Sequence, residues 1–102
     1  MVASQDGKLV GFAIVEVPAP EKAHLAAISV SENARGHGVA RELLKAAERM
    51  ARQAGAPSIG LVTADSNLAA LELFLRCGFE RVGRVTRYYQ RGQNAVRMEK
   101  TL

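Results

Sequence analysis

Between Ala23 and Ala54 the hydrophobic pattern changes period, and a run of small residues marks the change. AHLAAISV, residues 23–30, is a continuous apolar run of strand length, which reads as a strand covered on both faces. Val39, Leu43, Ala46, Ala47, Met50 and Ala54 then recur at helical steps, with Arg41, Glu42, Lys45, Glu48, Arg49 and Arg52 on the other side. That spacing predicts an amphipathic helix of several turns. Gly55 and Pro57 supply its stop signal, the glycine taking a left-handed position and the proline unable to continue the helix. ARGHG, residues 34–38, joins the two, so a strand turns through glycines straight into a helix.

On either side of this unit the pattern favours strands. Met1 to Val17 reads as two strands joined at Asp6-Gly7, a pair that supplies the positive φ angles of a two-residue hairpin turn, and Pro18 and Pro20 end the second. Ile59 to Thr63 is a short strand. Ser66 or Asp65 caps a second helix running to Arg76, with Leu68, Leu71, Phe74 and Leu75 inward and Gly78 as terminator. Two further strands follow around a turn near Gly92, with Val82, Val85 and Tyr88, then Val96 and Met98, alternating. The expected fold is α/β, a mixed sheet in the order β-β-β-α-β-α-β-β, and 102 residues hold one small domain, 1–102.

Composition excludes several functions. Apolar residues make up 48% and charged residues 24%, the balance of a globular chain. No apolar stretch is long enough to span a bilayer and no basic leader precedes one, so the expected location is cytoplasmic, without a membrane partner. No Cys/His cluster has metal-ligand spacing, so no metal is expected, and the single Cys77 reads as a half-buried small apolar residue. The net charge is +4, and Arg76, Arg81, Arg84, Arg87, Arg91, Arg97 and Lys100 crowd the last quarter against Glu80 and Glu99. That asymmetry suits an anionic partner or a solvated basic face. Without aromatics interleaved beyond Tyr88 and Tyr89, nucleic acid is the weaker choice.

The glycine loop carries the sharpest chemical signal. Unpaired backbone N–H groups and the positive end of a helix converge there, with Arg35 alongside, and a phosphate fits that arrangement. A plain tight turn is the alternative. The spacing is not that of a dinucleotide fold, because Arg41 stands where a third small residue would be needed, and no Lys-Ser/Thr pair follows.

Arg35-Gly36-His37-Gly38-Val39-Ala40 resembles the Arg/Gln-x-x-Gly-x-Gly/Ala signature of the GNAT superfamily of acyl-CoA-dependent N-acyltransferases. SNLAALELFLRCGF is similar to a second segment of that family, with Asn67, Ala70, Gly78 and Phe79 at the matching positions. AHLAAISV and RYYQRGQNAVRMEKTL look like the bacterial ribosomal-protein alanine N-acetyltransferases and their relatives that acetylate protein N-termini. The resemblance implies a GNAT fold and acetyl-CoA as co-substrate, held across the splay between the strands at 23–30 and 59–63. It gives the pyrophosphate to Arg35, Gly36, His37, Gly38, Val39 and Ala40, the pantetheine to the backbone of Ile28 and Val30, and the coenzyme arm to Asn67. Tyr88 and Tyr89 would line an acceptor-peptide groove, with strand packing as the alternative for one of them. The implied reaction is acetyl transfer to a primary amine, a protein N-terminal α-amine first among them.

Three departures accompany this. In the family an additional strand and one or two helices come first and wall the acceptor site, whereas this chain begins at the position of the second strand. The expectation is therefore an N-terminally shortened fold whose acceptor site is open, is completed by another copy or chain, or belongs to a longer protein; strand addition at residues 1–4 would give a homodimer. The tyrosine that protonates the departing thiolate is replaced by Phe74, which keeps a place in the coenzyme set without a hydroxyl, and a glutamate base is replaced by Val62. No general acid or base is thus assigned, and a non-catalytic acyl-CoA-binding or subunit module is the second reading.

Overall fold

The computed structural model describes residues 1–19, 22–36, 38–88, 92 and 94–102. It contains β1 (Val2–Gln5), β2 (Lys8–Ala19), β3 (Lys22–Val30), α1 (Val39–Gln53), β4 (Ser58–Ala64), α2 (Leu68–Arg76), β5 (Glu80–Val85) and β6 (Ala95–Thr101). The expected order is found, with one added 3₁₀ turn at Glu32–Ala34. The fold is a mixed α/β sheet of six strands with two helices. The chain divides into two compact units, Met1–Ile59 with Leu102, and Gly60–Thr101.

In the first unit the strands run β1-β2-β3, antiparallel throughout. Asp6 (φ 52°) and Gly7 (φ 76°) both sit in the left-handed region, and Gln5 pairs with Lys8, so the two-residue hairpin forms as its dipeptide dictates. Pro18 does not end β2, which continues to Ala19. The register slips between Glu16 and Ala19, and an irregular stretch tolerates a residue without an N–H. A second slip lies opposite Ile14 and Val15, which pair with Ala27 and Leu25 and leave Ala26 as an extra residue in β3.

β3 is not covered on both faces: Ala23 and Leu25 are buried while His24 and Ala26 are exposed, because α1 packs on one side of β2 and β3. The buried stripe of α1 is Val39, Leu43, Leu44, Ala47, Glu48 and Ala51, a helical row advancing by four residues and its neighbour. Met50, expected inward, lies off that row and is 44% exposed, and Ala54, past the helix end, is exposed too. Glu48, expected on the solvent face, is buried, with its carboxylate 3.8 Å from Arg52.

The helix can lie this close because residue 11 is glycine. A Cβ there would stand 2.8 Å from the Ser29 carbonyl oxygen, 3.2 Å from Leu43 Cδ1 and 3.4 Å from Val39 Cγ1. Gly11→Ala is expected to lower stability by about 1–3 kcal/mol, since neither a paired carbonyl nor the first turns of α1 can retreat freely. A denaturant midpoint equal to that of the parent would contradict this close approach.

In the second unit the strand order is β4-β6-β5. Asn67, rather than Ser66 or Asp65, caps α2: its Oδ1 accepts a hydrogen bond from Ala70 N–H at 3.2 Å. Asp65 instead meets Arg84 at 3.0 Å. Leu71 and Phe74 are buried, whereas Leu68 (72% exposed) and Leu75 face outward, so this short helix buries a narrower stripe than its leucines suggest. β5 and β6 pair antiparallel, with Arg81 opposite Met98, Gly83 opposite Arg97 and Arg84 opposite Val96. Val82 is the extra residue of a bulge, and both Val82 and Tyr88, expected to alternate inward, are exposed.

Candidate functional site

The glycine loop is built from its anchors outward. Ser31 N–H donates to the Val10 carbonyl at 2.8 Å, which fastens the end of β3 to β2. The 3₁₀ turn follows, closed by Ala34 N–H to Ser31 and Arg35 N–H to Glu32, and Ala34 is fully buried beneath it. The chain then emerges at Arg35, whose Nε donates to the Val30 carbonyl at 3.3 Å and so orients the guanidinium against the loop.

Gly36 (φ 83°) and Gly38 (φ 77°) both occupy the left-handed region, where a side chain costs roughly 1–2 kcal/mol. A Cβ at either position would meet nothing within 4 Å among the described residues beyond its chain neighbours. Gly38 is the N-cap of α1 and offers no side-chain cap; the first helical bond is Glu42 N–H to the Gly38 carbonyl at 3.1 Å. The N–H groups of Val39, Ala40 and Arg41 therefore lack helical acceptors. Open backbone donors, the positive end of a 15-residue helix and an oriented guanidinium meet at one loop. This arrangement accepts an anion with several oxygens, as a pyrophosphate has.

The structure thus brings Arg35, Gly36, Gly38, Val39 and Ala40 together, ties them to Val30 through the Arg35 bond, and places half-buried Ile28 two residues earlier on β3. His37 and Tyr89 lie outside the described residues. Asn67, Phe74 and Tyr88 belong to the second unit. Phe74 is buried edge-on to Phe79, with ring centroids 5.7 Å apart, and Val62 is half-buried; neither carries a titratable group. Tyr88 is 53% exposed. Asn67 Oδ1 is engaged by the cap, which leaves Nδ2 as a donor.

That double use has a measurable consequence: Asn67→Ala is expected to cost about 0.5–2 kcal/mol of stability through the lost cap, with most of it retained in Asn67→Ser. Equal loss in both variants would remove the capping role. Sequence reasoning missed Gly11 and Ala34 as parts of the loop's foundation, and the bulge in β3. Only Gly11 carried a signal, a glycine inside a strand pattern marking a close backbone approach. Among the described residues no group of three or more His, Cys, Asp or Glu can hold a metal, and no helix is long and apolar enough to cross a membrane.

Comparison with known proteins bears on this geometry. The model of the acetyltransferase (GNAT) family matches residues 1–79. The N-alpha-acetyltransferase MAK3 of Arabidopsis thaliana is 31% identical over 101 residues, covering 96% of this chain and 53% of that relative. The ribosomal-protein-alanine N-acetyltransferase of Brucella melitensis superposes with a TM-score of 0.88 at 28% identity, over 99% of this chain and 67% of that one. A chain of the NatC complex bound to Gag peptide and CoA superposes with a TM-score of 0.76 at 27% identity, over 90% and 58% of the two chains. The chain spans about half the length of the curated relatives it matches first.

Proposed function

Because the chain belongs to the acetyltransferase (GNAT) family, we propose that it binds acetyl-CoA and transfers the acetyl group to a primary amine, with a protein N-terminal α-amine as the acceptor. The observation that carries this reading is the open glycine loop, where Gly36, Gly38 and the first turn of α1 present backbone donors beside Arg35. In this reading the pyrophosphate sits on residues 35–40, and Ile28 and Val30 pair the pantetheine through their backbone. In the second unit, Asn67 Nδ2 goes to the coenzyme arm and Tyr88 to the acceptor. The similarity to N-alpha-acetyltransferases supports the choice of acceptor.

In the reaction the neutral amine attacks the thioester carbonyl. A C–N bond forms, the C–S bond breaks, and the departing thiolate takes up the proton that the amine nitrogen sheds. Holding the two partners together supplies a large share of the rate, and a backbone N–H near the end of β3 stabilises the oxyanion. β1, at the end of the sheet order, leaves an edge for a second copy.

Calorimetric titration with acetyl-CoA, and with S-acetylpantetheine that lacks the pyrophosphate, tests the reading. Binding of acetyl-CoA at least roughly tenfold tighter than of the truncated thioester, which lacks the whole nucleotide part, is expected, a difference of about 1.4 kcal/mol. Equal affinity, or none to the folded chain, would overturn it. A second reading, coenzyme binding without transfer, is favoured by Phe74 and Val62, which stand where the family resemblance puts proton-transfer groups and carry none. Binding without acetylation of any peptide amine would select it.

A further inference from the structure

The second unit contains a cavity of about 590 Å³, lined by Leu68 and Leu71 of α2, Arg81 and Arg84 of β5, Val96 of β6, and Asp65 just past β4. All of these residues lie within Gly60–Thr101, so that unit forms the cavity alone. Its volume is that of a small-molecule site. Two arginines three residues apart on one strand do not ordinarily share a face, because side chains alternate along the strand. Here the bulge at Val82 restores the phase: Arg81 stands opposite Met98 and Arg84 opposite Val96, two positions on one face of β6.

The two guanidiniums are not equivalent. Arg84 Nη2 donates to Asp65 Oδ2 at 3.0 Å, which fixes its direction along one wall. Arg81 forms no ion pair or hydrogen bond among the described residues, so its five donors are open to a ligand. Among the lining residues two cations stand against one carboxylate, which leaves a single positive charge. A monoanion neutralises that excess, whereas a dianion overshoots it and meets Asp65 as a like charge. Leu71 and Val96 are buried at the cavity wall and Leu68 is exposed in the first turn of α2, so apolar surface lies beside the cations. A bare inorganic anion gains nothing from that wall; an anion carrying a hydrocarbon body does.

We infer that this cavity is a binding site for a small monocarboxylate with a compact hydrocarbon body, of the arylalkanoate kind. The carboxylate accepts paired, charge-assisted hydrogen bonds from Arg81, Arg84 adds its field from the position that Asp65 holds, and the hydrocarbon rests on Leu68 and Leu71. Neither the coenzyme nor the amine acceptor takes part, so the site goes beyond the proposed transfer and stands whether or not that transfer occurs. Its selectivity lives in the difference between a carboxylate and its neutral isostere rather than in overall affinity.

The test titrates the whole chain with 3-phenylpropionate, its neutral isostere 3-phenylpropionamide and inorganic phosphate, while the Leu68 and Leu71 methyl resonances are followed. The ring of a bound ligand shifts those methyls directly. The acid is expected to move both and to bind at least about fivefold tighter than the amide, a modest ratio because Arg81 and Arg84 reach water. Arg81→Gln should bring the acid down to the affinity of the amide and leave the amide within about twofold of its value in the parent. Arg97 stands between Val96 and Met98 in β6 and so faces the other side of the strand. Arg97→Gln, the same loss of charge outside the cavity, should preserve the preference for the acid. Equal affinity of acid and amide, methyl resonances that do not move, or equal loss in the two variants would overturn the site. Phosphate binding as tightly as the acid would overturn it too, since the apolar wall would then contribute nothing.

Discussion

Gly38→Glu is expected to lower acetyl-CoA affinity by roughly a hundredfold or more. Two terms add. A carboxylate placed at the N-terminus of α1 lies where the proposed pyrophosphate binds, and like charges brought together away from water cost several kcal/mol, at about 1.4 kcal/mol per tenfold. The side chain also occupies the space that the backbone leaves open, since a Cβ at residue 38 meets nothing within 4 Å. That same openness means that the variant folds. The cost to stability is the strain of φ 77°, roughly 1–2 kcal/mol, which Gly38→Ala shares. Alanine is therefore the control: it should show the stability loss with only a minor change in affinity. If Ala and Glu weaken binding equally, the loop acts through its conformation alone and the phosphate assignment falls. If neither weakens it, the coenzyme binds elsewhere.

The parts of the fold that were legible in advance are those whose chemistry is local. Asp6-Gly7 could form only a tight turn, and its two positive φ angles are present. Gly55 and Gly78 terminate their helices in left-handed conformations, with Ala56 N–H donating to Ala51 and Phe79 N–H to Phe74 at 3.0 Å each. The order of strands and helices followed from such punctuation. Bulges were not legible, because an extra residue at Ala26 or Val82 is defined by the partner strand and leaves no mark in the strand that carries it. Facing was legible only where a helix is long. Over 15 residues α1 shows its stripe, but the expected row missed buried Leu44, Glu48 and Ala51 and took in exposed Met50 and, past the helix end, Ala54, while α2 has 9 residues and four apolar candidates, of which two are buried. The cap expected at Ser66 or Asp65 falls at Asn67, because the helix starts at Leu68, and Asp65 is engaged instead by Arg84 from 19 positions away.

Phe79→Ala is the substitution expected to cost most stability, about 3–5 kcal/mol. Phe79 is 2% exposed and meets Phe74 edge-to-face, centroids 5.7 Å apart and planes at 62°. The contact is more than packing. With Cys77 as the C-cap, Gly78 N–H donates to Leu75 at 3.1 Å and Phe79 N–H to Phe74 at 3.0 Å, the two bonds of a Schellman motif, and the ring pair is its hydrophobic contact. Alanine keeps both backbone bonds but leaves a cavity where the ring was, so the end of α2 loses the contact that holds it. A domain of this size stands only about 5–15 kcal/mol above unfolding, and its midpoint should fall by roughly 15 °C or more. Phe79→Leu, which refills most of the volume, should recover more than half of that loss. A fall of less than about 1 kcal/mol for Phe79→Ala would mean that neighbouring side chains close the cavity, which few well-packed interiors can do. In that case the helix end is held by its backbone bonds and by Lys100, whose Nζ donates to the Cys77 carbonyl at 2.7 Å.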